Sequence, residues 1–314
     1  MSLTRFLRHE TILAALTVIA LAVLALQSDK FFTADNLLNQ GRLMSEVGLV
    51  ALAMTFVIVT GGIDLSVGSI LGLTAILLGV FWKNAGLPLP LAMVLAIACG
   101  TLAGLGNGLI ITRFKVPPLI ATLATLALYR GLAEGISEAR SVRGYPEWFF
   151  FFGQGELLGV PVQLWLLILC TVIAAVILGL TPFGRATYAT GANEIAARFS
   201  GIRVDATKLW IYTAAGFLSA LAAVVFVSRV TTTRSDMGTG LELDVITGVV
   251  LGGTSIFGGK GTVIGTVLGL VLIQALKNGL ALSGVKGDGT IVVIGIVLIG
   301  AILVGAIFDR TRSG

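Results

Sequence analysis

The sequence predicts an all-α, polytopic membrane protein with about ten transmembrane helices, some of them broken or re-entrant. Three observations predict it. Of 314 residues, 56% are hydrophobic and 12% charged, about half the charged fraction of a soluble domain, and the mean hydropathy is +1.00. Apolar runs approaching the roughly 17–25 residues that a hydrocarbon core demands recur along the chain. The longest polar segments, 137–161 and 182–208, are too small to bury a core of their own, so residues 1–314 read as a single transmembrane domain.

In order, the apolar runs fall near 11–26, 45–60, 67–82, 89–111, 117–136, 162–180, 209–227, 245–257, 262–281 and 291–308. Arg5 and Arg8 precede the first, but Leu26-Gln27-Ser28 lacks a small-x-small cleavage pattern, so it reads as a retained anchor. The runs 45–60 and 245–257 are short and fit broken or re-entrant helices. Ten spans place both termini and 182–208 on one side. Loops on that side carry eleven Lys and Arg against eight on the other, which makes it cytoplasmic.

The net charge of +5 is then a property of cytoplasmic loops, and no basic run or aromatic platform offers a site to nucleic acid. Cys99 and Cys170 sit inside apolar runs as small hydrophobes rather than as a disulfide or metal pair. The sole histidine, His9, lies at the terminus, which removes serine–histidine dyads and histidine zinc sites. No catalytic residue, metal or cofactor is expected. Gly258-Gly259-Lys260-Gly261-Thr262 fails the phosphate-loop pattern because Gly follows the lysine, so ATP chemistry, if used, belongs to another chain.

A thirteen-residue repeat aligns GGIDLSVGSILGL (61–73) with GGKGTVIGTVLGL (258–270). Each copy ends one apolar run and opens the next, the pattern of paired helix breaks near a substrate path. Whether the copies are parallel or inverted stays open. Gly100, Gly104 and Gly108, and likewise Gly261, Gly265 and Gly269, recur at four-residue spacing, which reads as close helix packing.

Asp64, with Ser66 beside it, is an acid near hydrocarbon, a costly placement that implies a role. It caps the 67–82 helix, lines a path or gate, or does both. Asn107, Thr254 and Asn278 are uncharged hydrogen-bonding groups within spans; they suit a polyhydroxyl solute, and equally suit bonds between helices.

The stretch 184–208 is the one long polar interruption in the second half of the chain. Residues 193–200 predict a short helix: Asn193 caps it, Glu194 favours its positive start, Arg198 follows Glu194 at i+4, and Gly201 closes it. Ile195 and Phe199 share a face, while Ala196 and Ala197 permit close approach of another surface. Physics alone allows a helix resting on lipid headgroups or a socket for a partner.

The segments GGIDLSVGS (61–69), TPFGRATYATGANEIAARFSGI (181–202), GTGLELDVITGVVLGGTSIFGGKGTVIGT (238–266) and KNGLAL (277–282) resemble the ribose-type permeases of bacterial carbohydrate ABC importers, in order and over essentially the whole chain. The resemblance implies that Gly191, Asn193, Glu194, Ala196, Ala197, Gly201 and Ile202 dock an ATPase subunit, within a coupling segment 182–208. It further implies a bacterial inner-membrane protein, paired with a second copy or a sister permease, that receives a monosaccharide such as ribose, rhamnose or an autoinducer-like sugar from a periplasmic binding protein. The aromatic run Trp148 to Phe152 departs from the ribose-type pattern. The rival is an ion-coupled secondary transporter, favoured by Asp64 and the helix breaks alone; a purely structural membrane protein fits the paired breaks poorly.

Overall fold

The computed structural model describes residues 29–296 except 139, 286 and 288, together with 299, 300 and, near the start, 11, 13–15, 17–19, 21 and 22. Residues 12, 16, 20 and 23–26 of the expected span 11–26 therefore lie outside the described residues, as do 297, 298 and 301–308 of the expected last span and both chain ends.

The helices are α1 (Ala34–Val59), α2 (Val67–Gly79, continued by a π-turn over Val80–Asn84), α3 (Leu89–Arg113), α4 (Pro118–Ser137), α5 (Glu147–Gln154), α6 (Val162–Leu180), α7 (Pro182–Ala192), α8 (Glu194–Phe199), α9 (Val204–Val230), α10 (Leu241–Leu251) and α11 (Val263–Leu282). Seven of these described helices, α1, α2 with its π-turn, α3, α4, α6, α9 and α11, are long and apolar enough to cross a membrane. Pro118 and Pro182 open α4 and α7, where the missing N–H is harmless, and Thr33, Thr181 and Thr262 cap α1, α7 and α11 through their hydroxyls.

Of the two runs expected to be short and broken or re-entrant, one comes out differently. The run 45–60 is neither short nor broken: it is the second part of α1, which has 26 residues and is about 39 Å long. The first part carries Asn36, Gln40 and Arg42, and Glu46 opens the second, polar residues that interrupt hydropathy but not the helix. Gln40 bonds Gln274 of α11 at 2.7 Å, Arg42 pairs with Glu156 at 2.5 Å, and Glu46 pairs with Arg229 of α9 at 2.6 Å. The run 245–257 is short, as expected. Its helix, α10, has 11 residues, about 16 Å, and folds back onto α11 as a hairpin.

Helices α1, α2 and α9 form the interior, whereas α3, α4 and α6 leave most of their residues on the outside. Small residues fix the closest approach, between α3 and α9: a Cβ on Gly104 would stand 2.7 Å from the Gly216 Cα, and one on Gly100 2.6 Å from the Ala220 Cβ. Gly265 and Gly269 of α11 likewise sit on the carbonyls of Gly252 and Gly248. Gly100, Gly104, Gly265 and Gly269 thus serve helix packing, whereas Gly261 of the expected second row lies in the turn before α11, at a φ of +156°.

One end of the bundle is covered by two antiparallel ladders and α5. Strand β1 (Val142–Arg143) and β2 (Glu156–Leu157) pair with β4 (Thr232–Thr233) and β3 (Val160–Pro161) respectively. The aromatic run, which carried no role in the sequence, builds α5: Phe149 is fully buried, its carbonyl accepts from Ser228 Oγ at 2.5 Å, and Trp82 stacks on Tyr145 at 4.4 Å. Helices α7 and α8 lie at the opposite end.

The structure also settles the sense of the repeat. Helix α1 descends from the covered end to Gly61, and α2 returns until Gly79 meets Val142 and Thr233. In the same way α10 leads to Gly258, and α11 returns until Gln274 meets Gln40. The two motifs point the same way, and their turns touch: a Cβ on Gly258 would lie 2.9 Å from the Gly61 amide.

Candidate functional site

Helix α7 ends at Asn193, whose extended backbone breaks the axis and whose side chain accepts the Ala196 amide at 2.9 Å to start α8. At the far end Gly201 takes a φ of +82°. Its amide bonds the Arg198 carbonyl and the Ile202 amide bonds that of Ala197, both at 3.0 Å, the pattern of a Schellman cap. The capped helix expected at 193–200 is therefore present as Glu194–Phe199.

Charge braces α8 against the body. Glu194 takes Arg198 at 2.9 Å and Lys208 of α9 at 2.6 Å, while Asp205 takes Arg198 at 2.5 Å and Lys115 at 2.9 Å. Burial raises the Glu194 pKa, but the hydrogen bonds from Lys208 and Arg198 outweigh it and hold the carboxyl below its ordinary value. The opposite face is bare: Ile195 is 69% and Phe199 90% exposed. Asn193 and Ala196 are exposed with them, and Ile202 is half-buried.

Ala197 and Gly191 lie on the inner side. Ala197 is 4% exposed, so it seats α8 on its own chain rather than meeting another surface. Gly191 rests on the Val59 carbonyl, and a Cβ there would stand 2.6 Å from the Gly259 amide. Gly259 donates to the same Val59 carbonyl at 2.8 Å, and Tyr188 Oη donates to the Gly261 carbonyl at 2.7 Å. The end of α7 is thus joined to the turns that follow α1 and α10.

Asp64, Ser66 and Asn107 converge on one buried network. Asp64 Oδ1 accepts the Ser66 amide at 2.9 Å and the Ser66 hydroxyl at 2.6 Å, and Asn107 Nδ2 donates to Ser66 Oγ at 2.7 Å. Tyr129 of α4 continues it by donating to the Ala103 carbonyl at 2.9 Å, with Asn107 Oδ1 at 3.3 Å. All three predicted residues are fully buried. Asp64 braces the start of α2 by holding the amide of Ser66, the residue before the helix, rather than an amide inside it. Its Oδ2 and the Tyr212 hydroxyl are buried without a partner.

Thr254 and Asn278 are not part of that network. Thr254, 2% exposed, sits in the α10–α11 turn beneath Gly261. Asn278, 7% exposed, lies toward the covered end of α11.

Charged groups that the loop reading passed over also hold the bundle. Arg130, within α4, donates to the carbonyls of Ser235 and Met237, the latter at 2.9 Å, and to Gly68 at 3.4 Å. Glu46, 4% exposed, takes Arg229 through both oxygens at 2.6 and 3.0 Å. An ionisable residue inside an apolar run was the available signal for both.

The family described as branched-chain amino acid transport system / permease component matches residues 36–302. The ribose import permease protein RbsC of Bacillus subtilis (strain 168) is 43% identical over 280 residues, 88% of this chain and 87% of that protein. RbsC of Escherichia coli (strain K12) is 38% identical over 294 residues, 92% and 90% of the two chains. The autoinducer 2 import system permease protein LsrD of Escherichia coli O9:H4 (strain HS) is 38% identical over 285 residues, 89% and 86%. No solved structure matches.

Proposed function

The chain belongs to the family of transport-system permease components, and from that premise we propose that it is the membrane-spanning subunit of an ATP-driven importer for a monosaccharide or a close relative. The observation that carries the reading is 43% identity with a ribose import permease along 88% of this chain. The α7–α8 segment supports it physically. An apolar face of Ile195 and Phe199 stands out from a helix that salt bridges and a cap hold rigid, the form expected of a surface that receives mechanical work from a partner.

In this reading the whole chain is one permease domain with both termini cytoplasmic in a bacterial inner membrane. It pairs with a second copy or a sister permease, with lipid around the rest. An ABC ATPase docks on α8 and a periplasmic binding protein delivers sugar to the covered end. Closure of the ATPase pair on ATP moves α8 and shifts the dimer between outward and inward states through differential binding. Asn193, Glu194 and Gly201 shape α8, Gly191 and Ala197 seat it, and Ala196 and Ile202 flank its docking face. Asp64, Ser66 and Asn107 form the gate network; Thr254 and Asn278 lie along the α10–α11 hairpin.

Uptake of labelled sugar by cells carrying the chain and its partner subunits tests this. Uptake abolished by ATP depletion and spared by a protonophore is expected; the reverse pattern would make the chain an ion-coupled transporter.

A further inference from the structure

A cavity of about 430 Å³ opens at the covered end between α1, α9 and α10, within the range of about 300–1,000 Å³ typical of small-molecule sites. Val47, Phe226 and Leu241 give it an apolar wall; Thr232, Thr239 and Asp244 supply hydrogen-bonding groups.

Its electrostatics restrict what fits. Every charge on the wall has an opposite partner: both Glu46 oxygens hold Arg229, Asp244 Oδ2 holds Lys277 at 2.6 Å, and Asp236 holds Arg234. An ion or an amino-acid zwitterion entering here would be desolvated without finding an uncompensated countercharge. Hydrogen-bonding capacity remains. The Thr232 hydroxyl is buried without a partner, Lys277 engages only one oxygen of Asp244, and Thr239 Oγ1, which donates to the Asp236 carbonyl at 2.7 Å, keeps its lone pairs. The Phe226 ring, with the Arg229 guanidinium 5.0 Å from its centroid, gives a flat apolar surface for the C–H face of a sugar ring.

A second cavity of about 280 Å³, lined by Arg140, Ser141 and Ser235, shares Arg234 and Asp236 with the first. That ion pair is the wall common to both. Arg130 holds the segment behind it through the Ser235 and Met237 carbonyls.

We propose that the larger cavity is a binding site for a neutral polyhydroxyl solute, a monosaccharide, and that the Arg234–Asp236 pair is its outer threshold. The proposal rests on the sugar-import reading above and adds the place where the permease itself holds the solute.

The test uses the full-length chain with its partner subunits, carrying Thr239→Cys in a background of Cys99→Ala and Cys170→Ala. Alkylation by a small maleimide is timed with D-ribose, L-rhamnose or L-leucine present, and uptake of the same compounds is measured in parallel on the parent chain. The transported sugar is expected to slow labelling roughly threefold or more, and leucine to leave it unchanged. Adding Thr232→Val, nearly isosteric, should raise the half-protecting sugar concentration by roughly three- to tenfold, and Leu241→Trp, which fills the cavity, should abolish protection. Sugar uptake without protection, protection unaltered by Thr232→Val, or protection by leucine would each overturn the site while sugar import stands. Absence of uptake of every sugar by the parent chain with its partner subunits would instead bring down the functional reading, and the site with it.

Discussion

The Gly259 amide donates to the Val59 carbonyl at 2.8 Å, which ties the α10–α11 turn to the last turn of α1. Gly191 at the end of α7 lies on that same carbonyl. A displacement of α7 is therefore felt at once by two helix ends, and the close contact leaves no slack to absorb it.

Gly191→Ala tests that junction. The added methyl meets the Val59 carbonyl and the Gly259 amide, both backbone atoms that cannot swing aside, so overpacking of about 1–3 kcal/mol is expected. Sugar uptake per ATP hydrolysed should fall while Gly179→Ala, where a Cβ meets nothing within 4 Å, leaves it unchanged. Equal ratios in the two variants would show that α7 and the turns move independently.

Gly201→Ala asks for something different, because space is not limiting there: nothing lies within 4 Å of a Cβ, but φ is +82°. Backbone strain alone should cost about 1 kcal/mol. Gly201→Val should cost more and Gly201→Asn least, since asparagine tolerates the left-handed region. ATPase co-purification measured across the three should follow the order Asn, Ala, Val. An order set by side-chain volume alone, with Asn no better than Val, would point to a steric contact with the partner instead.

Much of α8 was legible because its signals are local: Asn193, Glu194, Arg198 and Gly201 lie within nine residues, and cap, i+4 pair and glycine each act on near neighbours. The convergence of Asp64 and Ser66 was similarly short-range, and the glycine rows followed from helical spacing alone. The first part of α1 was not legible. Gln40 and Arg42 look like loop residues until Gln274 and Glu156 are placed beside them, and those partners lie more than a hundred positions away. The same applies to the cavity, whose walls come from helices separated by most of the chain. The inward orientation of Ala197 was lost for another reason: with alanine on both sides of the stripe, composition does not say which face of a six-residue helix turns inward.

Asp64→Asn and Asp64→Ala separate charge from hydrogen bonding. Asparagine keeps an oxygen able to accept both the amide and the hydroxyl of Ser66, whereas alanine leaves those two donors short of a partner in a fully buried site. The alanine variant should lose about 1–3 kcal/mol and most of its uptake. Full uptake by the asparagine variant assigns Asp64 to bracing α2; its loss at normal abundance assigns the negative charge to the gate.

Phe199→Ser and Ala197→Glu act on opposite faces of α8 and should fail in opposite ways. Phe199 is 90% exposed on a helix whose cap and salt bridges do not involve its ring, so its removal should leave membrane abundance within about 0.5 kcal/mol of the parent, as surface changes do. If the ATPase rests on this face, the same change removes an aromatic anchor and should weaken capture by about 2 kcal/mol or more, roughly thirtyfold. Ala197 is 4% exposed, and glutamate there puts a charge into the seat of α8 without an arranged partner, a change that destabilises the permease before any partner arrives. Abundance and ATPase co-purification, measured on both variants, give the decision. Phe199→Ser with normal abundance and normal capture would place the ATPase elsewhere and leave α8 as a helix lying on the lipid surface, and Ala197→Glu with normal abundance would mean that α8 lifts from its seat in the native membrane.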